Sequence, residues 1–175
     1  MSAYASTTEP LIPTGTWNVD PSAGELTFKA RGMFGLATVR GTFSRYEGQL
    51  ETTERGSTGE LRIAAESLDT RNATRDKHLR SADFFDAERH PTVAFTLSEI
   101  SGSGLDGAEM RGELRIRENR LAISAPVQVE RLEDDRVRLS ADISVDRAAA
   151  GVGWNRLGMI RGDAHLRAVI VLQNS

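Results

Sequence analysis

Histidine, arginine and aspartate crowd into one stretch, Ser67 to Asp86, which reads Ser-Leu-Asp-Thr-Arg-Asn-Ala-Thr-Arg-Asp-Lys-His-Leu-Arg-Ser-Ala-Asp-Phe-Phe-Asp. An acid–base pair carried on one helix needs side chains three or four positions apart. Asp76 and His78 stand two apart, so on a helix they diverge. Arg75 and Arg80 have two readings: partners for Asp69, Asp76, Asp83 or Asp86 that tie the segment down, or cations that meet the polar head group of a ligand. His78, His90 and His165 show no His-x-His or H-E-x-x-H spacing, so a metal site would have to be assembled across the fold. There is no cysteine, which removes disulfides, thiolate metal ligands and a cysteine nucleophile, and no G-x-S-x-G elbow.

Gly102-Ser-Gly104-Leu-Asp-Gly107 matches G-x-G-x-x-G letter for letter. That fingerprint must open a helix whose N-terminus meets a pyrophosphate. Met110 to Arg117 reads instead as a strand, so the glycines are expected to make a hairpin turn.

The elements that position these residues read as strands. Leu26, Phe28 and Ala30 alternate with Glu25, Thr27 and Lys29, and the same period of two runs through Ala37 to Phe43, Tyr46 to Leu50, Leu61 to Ala65 and Val93 to Leu97. It returns over Leu121 to Val129 and Val137 to Val145. Trp17 to Asp20 is expected to be a short strand closed by a turn at Asp20-Pro21 and Gly24, and Gly56 to Gly59 another turn. Leu166 to Leu172 is apolar on both faces, which suits a central or covered strand. Only Ser67 to Asp86 breaks the alternation. Asn72 or Thr70 can cap a short helix there through Arg80, with Ser81 opening a further turn. Phe84 and Phe85, being adjacent, must point in different directions.

Many strands with short turns and one helical interruption predict an all-β chain, a closed antiparallel barrel or a sandwich. An inward face mixing Phe28, Phe43 and Phe95 with Ala30, Gly41, Ala65, Ala125 and Ala141 either interdigitates or leaves a cavity. The chain has 175 residues, 39% of them hydrophobic and 27% charged, and a net charge of −3, which gives no general attraction to nucleic acid. Met1 to Glu9 shows no basic or continuous apolar run and nothing later approaches a membrane span, so a cytoplasmic chain without stable membrane insertion is expected. Residues 1–15 are expected to be a flexible arm and 16–175 one domain.

Three segments together resemble the YceI-like family: Ser67-Leu-Asp-Thr-Arg-Asn, then Arg75-Asp-Lys-His-Leu-Arg-Ser-Ala-Asp-Phe-Phe-Asp, then His90-Pro-Thr-Val-Ala-Phe. Trp17-Asn-Val-Asp and Val39-Arg-Gly-Thr-Phe43 look like the family's opening strands. The resemblance implies an extended, lipocalin-like antiparallel barrel of about eight strands with a helical segment near residues 70–86. It also implies a pore that holds a long apolar chain, such as a polyisoprenoid or isoprenoid quinone. On that reading the protein is a non-enzymatic binder without a cofactor, whose partner is a hydrophobic ligand and which can form a homodimer. The pore candidates are Phe28, Phe43, Leu61, Ile63, Phe84, Phe85, Phe95, Ile123 and Leu139, with Arg75, His78 and Arg80 at its mouth and Trp154 closing an end or covering core. The alternative is an accessory enzyme or stress-linked protein acting on a polyprenyl or quinone head group, or a barrel filled by its own side chains.

Overall fold

Side chains that alternate apolar and polar make a strand with one wet and one dry face, and a run of such strands must cover its dry face. In the computed structural model, which describes residues 10–32, 37–102, 107–147, 149–151 and 163–175, the strands do so by closing on themselves. The first half of the chain forms β1 (Gly15–Gly32), β2 (Ala37–Phe43), β3 (Tyr46–Thr53), β4 (Gly56–Ala64) and the two-residue β5 (Leu68–Asp69). After the helix α1 (Ala73–Arg80) come β6 (Thr92–Ser101), β7 (Ala108–Ile116), β8 (Asn119–Leu132), β9 (Arg136–Val145) and β10 (Ala164–Asn174).

Every pairing is antiparallel. Neighbours run β3, β4, β6, β7, β8, β9, β10, and β1 joins β10 back to β3, so eight strands close into a barrel with one short helix, as expected. Closure of β1 on β3 removes the edges of those eight strands where they pair, and β2 remains as a branch off β1. The long β1 keeps β10 on one side and changes partner on the other, from β3 over Gly15–Asn18 to β2 over Leu26–Gly32. β5 extends β2 only at Thr42 and Phe43.

The expected break after Asp20 is a bulge inside one strand. Asp20 pairs with Val171 and Glu25 with Val169, so five steps on β1 face two on β10. The odd number of extra residues reverses which side chains point inward. Trp17 and Val19 face the interior before the bulge, and Leu26 and Phe28 after it. Gly24 sits in the bulge, where a Cβ would lie 2.2 Å from the Val169 carbonyl oxygen. Two other boundaries move by a few residues. The β3–β4 turn is Glu54-Arg55, with Gly56 already pairing with Thr53 at φ 128°, and Ala65 leaves β4 to begin a 3-10 turn, Ala65–Ser67.

One end of the barrel carries α1 and the β7–β8 turn, and the other carries the β3–β4 and β8–β9 turns together with Gly15 and Asn174. At this second end the segment before β1 is packed down. Ile12 is 1% exposed, Trp17 is 2% exposed and donates through Nε1 to the Pro13 carbonyl at 3.0 Å, and Arg131 donates to the Pro10 carbonyl at 2.8 Å. Ile12 of the expected arm therefore joins the core with Leu11 packed against it, and residues 1–9 lie outside the described residues. No helix among the described residues is long and apolar enough to cross a membrane.

Candidate functional site

The segment from Ser67 to Asp86 crosses the first end of the barrel, and its own polar side chains hold its shape. The Asn72 side chain caps α1 by accepting from the Arg75 N–H at 3.0 Å. Asp76, buried in the first turn, accepts from the Thr70 N–H at 2.9 Å and from the Thr70 hydroxyl. Arg75 closes the same knot, donating through Nε to the Thr70 hydroxyl at 2.8 Å and through Nη2 to the Thr70 carbonyl at 2.9 Å. The helix stops at Ser81, whose N–H and hydroxyl both donate to the His78 carbonyl. The next turn brings the Phe84 N–H back to the Ser81 carbonyl at 3.0 Å.

That turn aims the two phenylalanines differently, as adjacency requires. Phe84 is buried edge-on to His78, with centroids 5.2 Å apart and planes at 84°. Phe85 meets Phe43 edge-on at 5.9 Å, and Phe43 meets Phe28 at 5.5 Å, so aromatic contact passes from the crossover into the barrel wall. Beneath these rings lies an elongated cavity of about 460 Å³. Its wall is almost wholly apolar and runs from Leu50, Leu97, Val127 and Leu172 deep in the barrel to Arg31, Arg75, His78 and Arg147 at the helix end. Beyond the deep limit the interior is filled by Ile12, Trp17, Ala108 and Val137, all buried and none lining the cavity.

Arginines stitch the helix end together. Arg117, in the β7–β8 turn at φ 56°, donates through Nη1 to the carbonyls of Ala82 and Phe84 at 3.2 Å and of Gly151 at 3.4 Å. It thereby joins the crossover to the segment after β9. Arg147 is buried there, donates to the Arg31 carbonyl at 3.2 Å, and lines the cavity. Burial pushes its guanidinium below the ordinary arginine range, and the nearby Asp163 charge opposes that.

The structure gathers Phe28, Phe43, Leu61, Ile63, Phe84, Phe85, Phe95, Ile123 and Leu139 on the wall of this one cavity, with Arg75 and His78 at its helix end. Arg80 is not among them. It turns back to donate to the Leu68 carbonyl, and its buried Nε has no hydrogen-bond partner among the described residues. Trp154 lies outside the described residues. The Arg–Asp pairs expected to tie the crossover are replaced by other contacts. Arg75 and Arg80 serve backbone carbonyls because their short distance to the 68–70 loop satisfies those orphan acceptors, while Asp76 serves Thr70 and Asp83 pairs with His78 at 3.0 Å. Sequence reasoning missed Arg147 and the N-terminal plug residue Ile12. The inward parity of β6 to β10 carried the signal for others, such as Met110, Leu114, Ile143 and Leu166. The glycine motif leads into a strand, β7, with Gly102 at φ 117° and Gly107 at φ 108°. His165 meets Ser144 at 3.0 Å on the outer face.

The family model described as the YceI-like domain matches residues 17–172. A UPF0312 protein of Vibrio cholerae is 31% identical over 94 residues, covering 52% of this chain and 49% of that protein. One from Pseudomonas aeruginosa is 30% identical over 99 residues, covering 55% and 49%. The chain thus spans about half the length of the curated relatives it matches. Among solved structures, BcnA of Burkholderia cenocepacia superposes with a TM-score of 0.78 at 18% identity, covering 87% of this chain and 98% of that one. A polyisoprenoid-binding domain from Saccharophagus degradans gives 0.74 at 15% identity, covering 91% and 98%. At such identities the superpositions speak to the barrel alone. The family model spans that barrel from its first inward tryptophan to the last buried leucine of β10, and by it the chain belongs to the YceI-like family.

Proposed function

We propose that this protein binds a long-chain, isoprenoid-like lipid in the barrel cavity and carries or sequesters it without chemical change. The observation that supports this reading is the cavity itself: about 460 Å³, elongated, and walled almost entirely by hydrocarbon side chains. That volume falls within the range of small-molecule sites. Each methylene moved from water into such a wall contributes about 0.8 kcal/mol, so a long chain gains affinity without any catalytic group. Arg31, Arg75, His78 and Arg147 line the helix end, which suits a ligand whose tail points down the barrel and whose polar terminus stays near α1. A structural neighbour described as a polyisoprenoid-binding domain favours a polyprenyl or quinone tail over a fatty acyl chain. Mass spectrometry of organic extracts from protein purified without detergent tests the reading. A stoichiometric apolar species of one chemical class is expected; repeated extracts free of lipid, together with failure to bind a polyprenol offered in vitro, would overturn it.

A further inference from the structure

The outer surface of the barrel carries a charge pattern that the cavity does not explain. The antiparallel register sets Ser144, His165, Lys29 and Arg40 side by side across β9, β10, β1 and β2. Neighbouring strands are about 4.8 Å apart, so Lys29 has a cation as its direct neighbour on one side and a histidine on the other. Like charges placed directly opposite each other destabilise a sheet. Lys29 and Arg40 are exposed, and neither makes an ion pair among the described residues. The next row along the same strands is built in the ordinary way: Asp142 pairs with Arg167 at 3.1 Å, followed by Thr27, Thr42 and Asp69.

The uncompensated row lies in an open cleft of about 1010 Å³ that also takes in Arg71, at the end of β5 with φ 61°. The cleft is lined by five lysine or arginine side chains against two carboxylates, on a chain whose net charge is −3. It shares Thr27, Thr38 and Arg75 with the wall of the apolar cavity, so the cationic face adjoins the helix end of that cavity.

We infer that the outer face of β1 and β2, through Lys29, Arg40 and Arg71, docks the protein on the surface of an anionic lipid bilayer. A bilayer fits better than a soluble acidic protein because the face is an open band of separate, flexible cations that adjoins the apolar cavity along a shared wall. Anionic lipid attracts such cations over a Debye length without demanding a shaped partner. The docking does not depend on what fills the cavity, so its test is separate from that of the carried lipid.

The test is co-sedimentation with vesicles of phosphatidylcholine alone and with about 30% phosphatidylglycerol, in low and in raised salt. The full chain is expected to sediment with the anionic vesicles only, and raised salt should release it. Each of Lys29→Ala, Arg40→Ala and Arg71→Ala should weaken partitioning about fivefold, while Arg55→Ala, at the opposite end of the barrel, should leave it unchanged. Thermal melting of each variant checks that these surface changes leave the fold intact. Equal binding to both vesicle types, triple-variant binding equal to wild type, or capture of the face by polyglutamate with no sedimentation on anionic vesicles would each overturn the inference.

Discussion

The ring of Phe28 lies directly over Gly41, its register partner on β2, so closely that a Cβ at position 41 would sit 2.4 Å from the ring's Cζ. The same added atom would come within 2.9 Å of the Asp69 carbonyl oxygen. Here glycine makes room for an aromatic on the cavity wall, and that ring in turn touches Phe43. Gly41→Ala is therefore expected to displace Phe28 and destabilise the barrel by about 1–3 kcal/mol, the usual cost of overpacking. Urea denaturation checks the size. Pairing the change with Phe28→Leu should recover part of the loss, a coupling that a double-mutant cycle reads directly; strict additivity would show that the Asp69 backbone, not the ring, sets the cost.

Ala141 faces the cavity from β9, in register with Val127 and Ala168. A phenylalanine in a filled core costs about 1–3 kcal/mol. With about 460 Å³ of open space beside it, Ala141→Phe is expected to cost less than about 1 kcal/mol while lowering the lipid recovered per mole of protein. Parallel chemical denaturation and quantitative lipid extraction separate the two effects.

Asp76 is the centre of the crossover's polar knot. Asp76→Ala leaves the Thr70 N–H and hydroxyl without their acceptor in a buried place, at an expected cost of about 1–3 kcal/mol. Asp76→Asn keeps an acceptor oxygen and should cost less. Hydrogen exchange is the sharper measurement, because protection should fall in residues 68–80 before it falls in the barrel strands.

Tyr46 gives the stability a pH dependence at the alkaline end. Its hydroxyl donates to the Pro21 carbonyl at 3.3 Å beside the β1 bulge. Burial first, and then the charges of Asp20 and Glu25, push its pKa above the ordinary value of about 10. The folded state thus favours the neutral phenol. Its contribution is fully present below the unfolded pKa and is lost as pH rises through the higher folded one. Urea midpoints measured from about pH 9 upward should fall more steeply for wild type than for Tyr46→Phe, with phenolate absorbance reporting the same transition.

Period-two alternation from Leu26 onward made the barrel legible, because polar and apolar residues exchange places at every step along β9 and over much of β6 and β8. The crossover stood out by breaking that alternation, and the Asn72 cap could be read from its chemistry. The bulge at Pro21–Gly24 was not legible. Asp-Pro followed by glycine is a good turn sequence, and only the continued pairing with β10 keeps the strand running through it. The same limit applies to Arg75, Arg80, Arg117 and Arg147, each of which reaches a backbone carbonyl. A carbonyl is present at every residue, so no pattern of residue types can say which one an arginine will reach. The seven pore candidates on strands could be named because parity and size both pointed inward, and Phe84 and Phe85 because adjacent rings must diverge; Arg80 had no such signal, since its direction is set by a loop fold and not by a strand.

The packed segment around Ile12 and Trp17 makes the barrel a sleeve with a closed toe. A guest of the kind proposed above could not pass through and would back out by the way it came. Whichever end entered first would stay innermost for the whole stay, so a donor and an acceptor would both meet the same end of it. Selectivity can then reside in the depth of the toe, which measures tail length, independently of anything that happens at α1.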